Sequence, residues 1–98
     1  MDAPDWKGRP FVPLEKMAIY IAIDSETARR YGSSVRAHEI SNRDYKYRCK
    51  KHHNERAMRP PPSSDMHIYL GYLVVRKLGT PDQYETWMPV FRELYALA

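Results

Sequence analysis

Apolar residues fall in short runs along this chain, separated by charged and proline-rich stretches. The densest run, residues 66–77 (MHIYLGYLVVRK), mixes aliphatic and aromatic side chains, the make-up of a pleated, largely buried strand. Gly79-Thr80-Pro81-Asp82 then supplies residues that reverse a chain, and an aromatic stretch follows. The pattern predicts a hairpin with strands 66–77 and 83–88 and a loop at 78–82. Pro89 suits the first turn of a helix. Val90, Phe91, Leu94, Tyr95 and Leu97 would give that helix an apolar stripe, which predicts a closing helix over the hairpin.

Upstream, residues 17–23 (MAIYIAI) form the other strand-like run, and a central position in a sheet is expected for it. Asp24-Ser25-Glu26 reads as a helix start. The helix should run over 25–31, with Arg29 and Arg30 in its last turn and Gly32 ending it. Residues 35–40 alternate apolar and polar positions loosely, the pattern of a short edge strand. Ser41-Asn42-Arg43-Asp44 resembles a capping box with Asp in place of Glu. It opens a helix predicted over 42–58 and stopped by Arg59-Pro60-Pro61-Pro62.

On a helical wheel Tyr45, Cys49, His52 and Arg56 share the inner side of that helix. Arg43, Lys46, Tyr47, Lys50 and Asn54 share the outer one. So poor an apolar stripe predicts a weakly held helix that gains order from a partner. Residues 1–14 hold Pro4, Gly8, Pro10 and Pro13, so an irregular arm is expected, with Trp6 and Phe11 folding back onto the sheet. Residues 59–65 read as a Pro/Ser spacer. The expectation is a single domain over 1–98 of the α+β class: a small, mostly antiparallel sheet with a C-terminal β-hairpin, packed by two or three short helices.

Composition narrows the setting. At 98 residues and 43% hydrophobic content the chain can bury one core, with a narrow stability margin. A single cysteine, Cys49, excludes an intramolecular disulfide framework and fits a reducing cytoplasm. There is no signal-peptide pattern, and no window approaches the ~18 apolar residues that cross a bilayer, so a cytoplasmic protein with no membrane partner is expected. The net charge of +4 is concentrated: residues 29–59 carry ten Lys and Arg against three acids, the rest of the chain six against nine. Such asymmetry points to an acidic or polyanionic partner. Eight Tyr against two Phe favours rings that are half buried with wet hydroxyls.

Candidate chemistry changes this picture little. Cys49, His52 and His53 are spaced like metal ligands, but a structural zinc site needs four, and His38 and His67 would have to complete it. Cationic neighbours would lower the Cys49 thiol pKa, yet no substrate pocket is specified. The carboxylates Asp24, Glu26, Glu39, Asp65 and Asp82 are not paired. No phosphate-binding glycine loop, nucleophile elbow or HExxH occurs. A non-enzymatic protein with no catalytic residue, no metal and no cofactor is the expectation. Arg43, Lys46, Tyr47, Lys50 and Lys51 are the candidate contact residues, reading an acidic protein surface or, in the alternative, phosphates with a stacked tyrosine.

Gly71-Tyr72-Leu73-Val74-Val75, Trp87-Met88-Pro89, Phe91 and Tyr95 together resemble the closing segment of short phage- and prophage-encoded proteins, a likeness covering under a third of the chain. The resemblance implies an accessory protein made in an infected or lysogenic bacterium. Its partner would be a host protein or nucleoprotein defence complex, bound and inhibited through a Tyr- and Arg-bearing face.

Overall fold

A computed structural model describes residues 11–52, 54–62 and 67–98. Five strands and two helices follow in the order β1 (Ala18–Ala22), α1 (Ser25–Tyr31), β2 (Ser34–Ser41), α2 (Asn42–His52), β3 (Leu70–Arg76), β4 (Tyr84–Met88) and β5 (Tyr95–Leu97), with a 3-10 turn at Leu14–Lys16 leading into β1. The sheet order is β4-β3-β2-β1-β5, and every strand pair is antiparallel. The α+β class and the hairpin are as expected. The first hairpin strand is shorter than the apolar run suggested, since pairing begins only at Leu70; Met66 lies outside the described residues.

Period-two alternation divides the core between the two faces of the sheet. One face buries Tyr20, Val35, Ala37, Val74, Phe91 and Tyr95. The other buries Met17, Ile40, Leu73 and Val75 together with Tyr45 of α2. The stretch 35–40, expected at an edge, is the middle of the central strand. Its register sets Ala37 against both Ala18 and Val74, and Val35, Ala37 and Ile40 are all buried. Small and charged residues in this run masked its position, because Arg36 turns its charge inward. Arg36 Nη1 donates to the Met17 carbonyl at 2.8 Å.

The expected closing helix does not form. Residues 89–94 instead make a strap with a turn in which the Leu94 and Tyr95 amides both donate to the Phe91 carbonyl, and the chain ends in β5, paired with β1. A helical stripe and a buried turn both want apolar residues at the spacing of Phe91, Leu94 and Tyr95. What decides is that β1 would otherwise be an unpaired edge. The strap joins strands at opposite edges of the sheet. Over the face it crosses, Arg76 of β3 donates to the Tyr95 hydroxyl on β5 at 2.8 Å. Phe91 packs on this face, stacked on Tyr95 and Tyr72 at 4.7 Å and edge-on to Tyr20 at 4.9 Å.

One glycine makes the other face possible. Trp87 of β4 reaches across β3 to donate its indole N–H to the Ile40 carbonyl of β2 at 3.0 Å. It passes over Gly71, where an added Cβ would sit 2.5 Å from the indole and 2.6 Å from the Met88 carbonyl oxygen. The short helix α1 follows its sequence signals. Asp24 Oδ1 accepts from the Thr27 amide at 2.8 Å, which holds the Asp24 carboxyl below its usual range, and Gly32 ends the helix at φ +95°. Tyr31 closes over the buried Arg76, whose guanidinium carbon is 4.0 Å from the ring centroid.

Candidate functional site

The basic helix begins where the sequence places it. Ser41 Oγ accepts the Asp44 amide at 3.0 Å, the serine half of a capping box. Asn42 ties this end to the chain entering β3: its Oδ1 accepts from the Tyr69 amide at 2.8 Å, and its own amide donates to the Tyr69 carbonyl. The helix stops at His52, before the predicted Met58. The chain then turns back, and Met58 forms a parallel bridge with Glu85 on the outer edge of β4. The Arg59 amide donates to the Glu85 carbonyl at 2.8 Å, and the Glu85 amide to the Ala57 carbonyl at 3.0 Å. Ala57, Met58 and Arg59 thus seal a sheet edge, so the predicted spacer over 59–65 is pinned at its first residue, and the prolines that follow offer no N–H for further pairing; residues 63–65 lie outside the described residues.

The inner side of α2 is held by a residue that the wheel reading passed over. Arg48 is 1% exposed. It forms a two-pronged ion pair with Glu85, Nε to Oε1 at 2.6 Å and Nη2 to Oε2 at 3.2 Å, and Nη1 donates to the Val12 carbonyl at 2.9 Å. Arg56 approaches the same carboxylate at 3.2 Å. Tyr45, fully buried beside it, donates its hydroxyl to the Arg59 carbonyl at 2.5 Å, with the Glu85 carbonyl at 3.3 Å. Burial raises the Tyr45 phenol far above its ordinary pKa. This network replaces the apolar stripe that the helix lacks, so the helix is anchored without a partner. The signal lay in the strand Tyr-Glu-Thr-Trp-Met, where Glu85 occupies an inward position alternating with Trp87. A lone carboxylate there calls for a cation from the covering helix.

With the inner side accounted for, the outer side stands apart. Arg43, Lys46, Tyr47 and Lys50 line one hollow of about 210 Å³, and Tyr47 is 54% exposed. Among the described residues none of these three cations has an ion-pair partner. Lys51 turns away, its ammonium 5.4 Å from the centroid of the Phe11 ring. Phe11 also packs edge-on to His52 at 6.0 Å, while Val12 and Leu14 pack against the core on the α2 side. This part of the arm is docked on the sheet and helix; Trp6 lies outside the described residues.

The tyrosine bias serves the core more than the surface. Tyr20, Tyr45 and Tyr95 are buried, Tyr31, Tyr72 and Tyr84 half-buried, and only Tyr47 and Tyr69 exposed. Tyr69 lies beside the start of α2 through Asn42. Tyr84 sits under the Arg59 guanidinium, 4.9 Å from its ring centroid, and by strand alternation belongs to the face opposite α2.

Cationic neighbours were expected to lower the Cys49 pKa, but burial pushes the thiol up instead, with the Arg48 charge opposing it only in part; Sγ lies 3.7 Å from the Arg59 carbonyl oxygen. His52, its helical neighbour, gives its Nδ1 to Glu55 at 2.9 Å and so holds the Glu55 carboxyl below its usual range. Among the described residues no three His, Cys, Asp or Glu side chains gather as ligands for a metal; His53 lies outside them. No helix among the described residues is long and apolar enough to cross a membrane. Comparison with known protein families, curated proteins and solved structures returns no match.

Proposed function

We propose that this chain is a small non-enzymatic binding protein, a phage-type accessory protein that binds and inhibits a host protein or defence complex through the outer face of α2. The observation that carries this reading is the hollow formed by Arg43, Lys46, Tyr47 and Lys50. Its cations have no structural employment among the described residues, whereas Arg48, Arg56 and Arg76 are each committed to internal contacts. Lys51 lies on the same helix, with its ammonium turned toward Phe11. Exposed cations of one sign within a Debye length of ~8 Å reinforce each other toward an acidic partner, and an exposed tyrosine among arginine and lysine adds the type of contact enriched at interface hot spots.

The test is affinity capture from bacterial lysate with the wild-type chain and with Lys46→Glu/Lys50→Glu. The expected result is one defined protein partner recovered by the wild type and lost by the variant. Equal recovery by both would remove the basic face from the function. A parallel salt titration against random duplex DNA separates the nucleic-acid alternative. If the three or four cations of this face contact phosphates, affinity must fall with a log–log slope of roughly −3 to −4, and such a slope without protein capture would replace the proposed reading.

A further inference from the structure

Lys46 and Lys50 border two concavities. Besides the hollow shared with Arg43 and Tyr47, they rim a groove of about 410 Å³ whose other lining residues are Cys49, Met58, Arg59, Pro60 and Pro61. From this geometry we infer that the groove is a docking site for an acidic protein segment presenting an aliphatic or aromatic anchor between carboxylates. The inference rests on the proposed binding role of α2 and names the partner's chemistry.

Three observations support that occupant. The first is charge complementarity: Lys46 and Lys50 stand on one rim, while the thiol, thioether and proline rings beside them are apolar or weakly polar; the Arg59 guanidinium is turned onto Tyr84. A segment that lowers an apolar side chain into the groove can set its flanking carboxylates against the lysine rim. The second is rigidity. The groove wall is pinned at Arg59, whose amide donates to Glu85 and whose carbonyl accepts from Tyr45 and Cys49, so little ordering cost remains for the ligand to offset. Met58, which lines the groove and also packs against the core, can adapt its thioether to the shape of the anchor.

The third observation separates protein from nucleic acid. Stacking of bases requires aromatic platforms, and the groove has none. Tyr47, the exposed ring of this face, lies in the neighbouring hollow. The groove is open to solvent and can take a single anchoring side chain with its adjoining backbone.

Selection of a randomised displayed-peptide library against the full chain tests the inference, followed by anisotropy titration of the enriched peptides after fluorescein labelling. Enriched sequences are expected to carry a Leu, Ile, Phe, Tyr or Trp flanked by Asp or Glu. Replacing that anchor by Ala should weaken binding ~10–100-fold. Pro61→Glu, which puts a carboxylate into the groove wall, should weaken it to a similar extent, with Met58→Gln as a second variant and thermal melts checking that each is folded. Acidic peptides that need no anchor, or affinities unmoved by both groove variants, would overturn the groove while leaving the basic face in place. Affinities unmoved by Lys46→Glu/Lys50→Glu would instead overturn the reading on which the inference rests. An absence of enriched peptides would overturn the inference, and binding of random single-stranded DNA under those conditions would transfer the face to nucleic acid.

Discussion

The pair Arg48–Glu85 should hold the helix-bearing face of the protein together, and a double-mutant cycle measures how strongly. Both side chains are withdrawn from water, at 1% and 7% exposure, and they meet through two parallel contacts. Arg48→Met leaves Glu85 with only Arg56, which is 37% exposed. Glu85→Leu takes both carboxylate contacts from Arg48 while the Val12 carbonyl contact stays. Removing one partner of a buried ion pair costs about 3–5 kcal/mol. For a domain of this size, each kcal/mol shifts Tm by about 4–8 °C, so either single variant should melt roughly 12–40 °C below the wild type. That is a large share of the ~5–15 kcal/mol by which such domains are stable.

The combined variant Arg48→Met/Glu85→Leu removes both charges and fills the space with apolar atoms. Replacing a whole buried pair in this way is often neutral or stabilising, so the double variant should fall within ~1 kcal/mol of the wild type. Urea denaturation provides the measurement, because urea adds no screening ions, and the linear extrapolation gives each corner of the cycle. The coupling should also persist in high salt, as buried pairs are little screened. Single variants within ~1 kcal/mol of the wild type, or a double variant that loses the sum of the two, would show that the pair does not anchor α2.

Three further outcomes follow from the same contacts. Gly71→Ala should destabilise by about 1–3 kcal/mol through overpacking, since its Cβ would meet a backbone carbonyl that cannot swing aside, and a Gly71→Ala melting temperature equal to the wild type would refute the crossing of Trp87 over residue 71; Gly79→Ala, with open space around it at φ +73°, should cost only the left-handed backbone penalty of about 1–2 kcal/mol. Cys49 should alkylate with iodoacetamide more slowly than a free thiol at neutral pH. Because its folded pKa is raised, the unfolded chain ionises first, so this contribution to stability is intact below the ordinary thiol pKa and is lost as pH rises through the folded value; a Cys49→Ala variant with the same alkaline stability profile would contradict that. Lys46→Glu/Lys50→Glu should change urea stability by no more than ~0.5 kcal/mol, and a larger loss would mean that the two lysines serve the fold.

Local signals carried much of this protein in its sequence. Asp24 and Gly32 bracket α1 because a side-chain acceptor and a left-handed residue act over three or four positions, with no help from distant chain. The hairpin was legible for the same reason: the turn chemistry of 78–82 and the β-branched run before it are neighbours. The outer cations of α2 could be grouped from helical spacing alone, since Arg43, Lys46, Tyr47 and Lys50 are one or two turns apart. Non-local decisions were not legible. Residues 35–40 became the central strand because β1 and β3 flank them, which no property of those residues states. Phe91, Leu94 and Tyr95 satisfy a helix and a strap equally, and the need to pair the open edge of β1 chose the strap. Arg48 reads as one more cation in a basic helix until the fold brings Glu85 against it. In this protein, then, the sequence by itself determined caps, turns and which cations share a helical face, because these depend on residues a few positions apart. Only the tertiary structure decided strand order, the buried ion pair and the groove beside Pro61, because each depends on a partner that the chain brings back from far along its length.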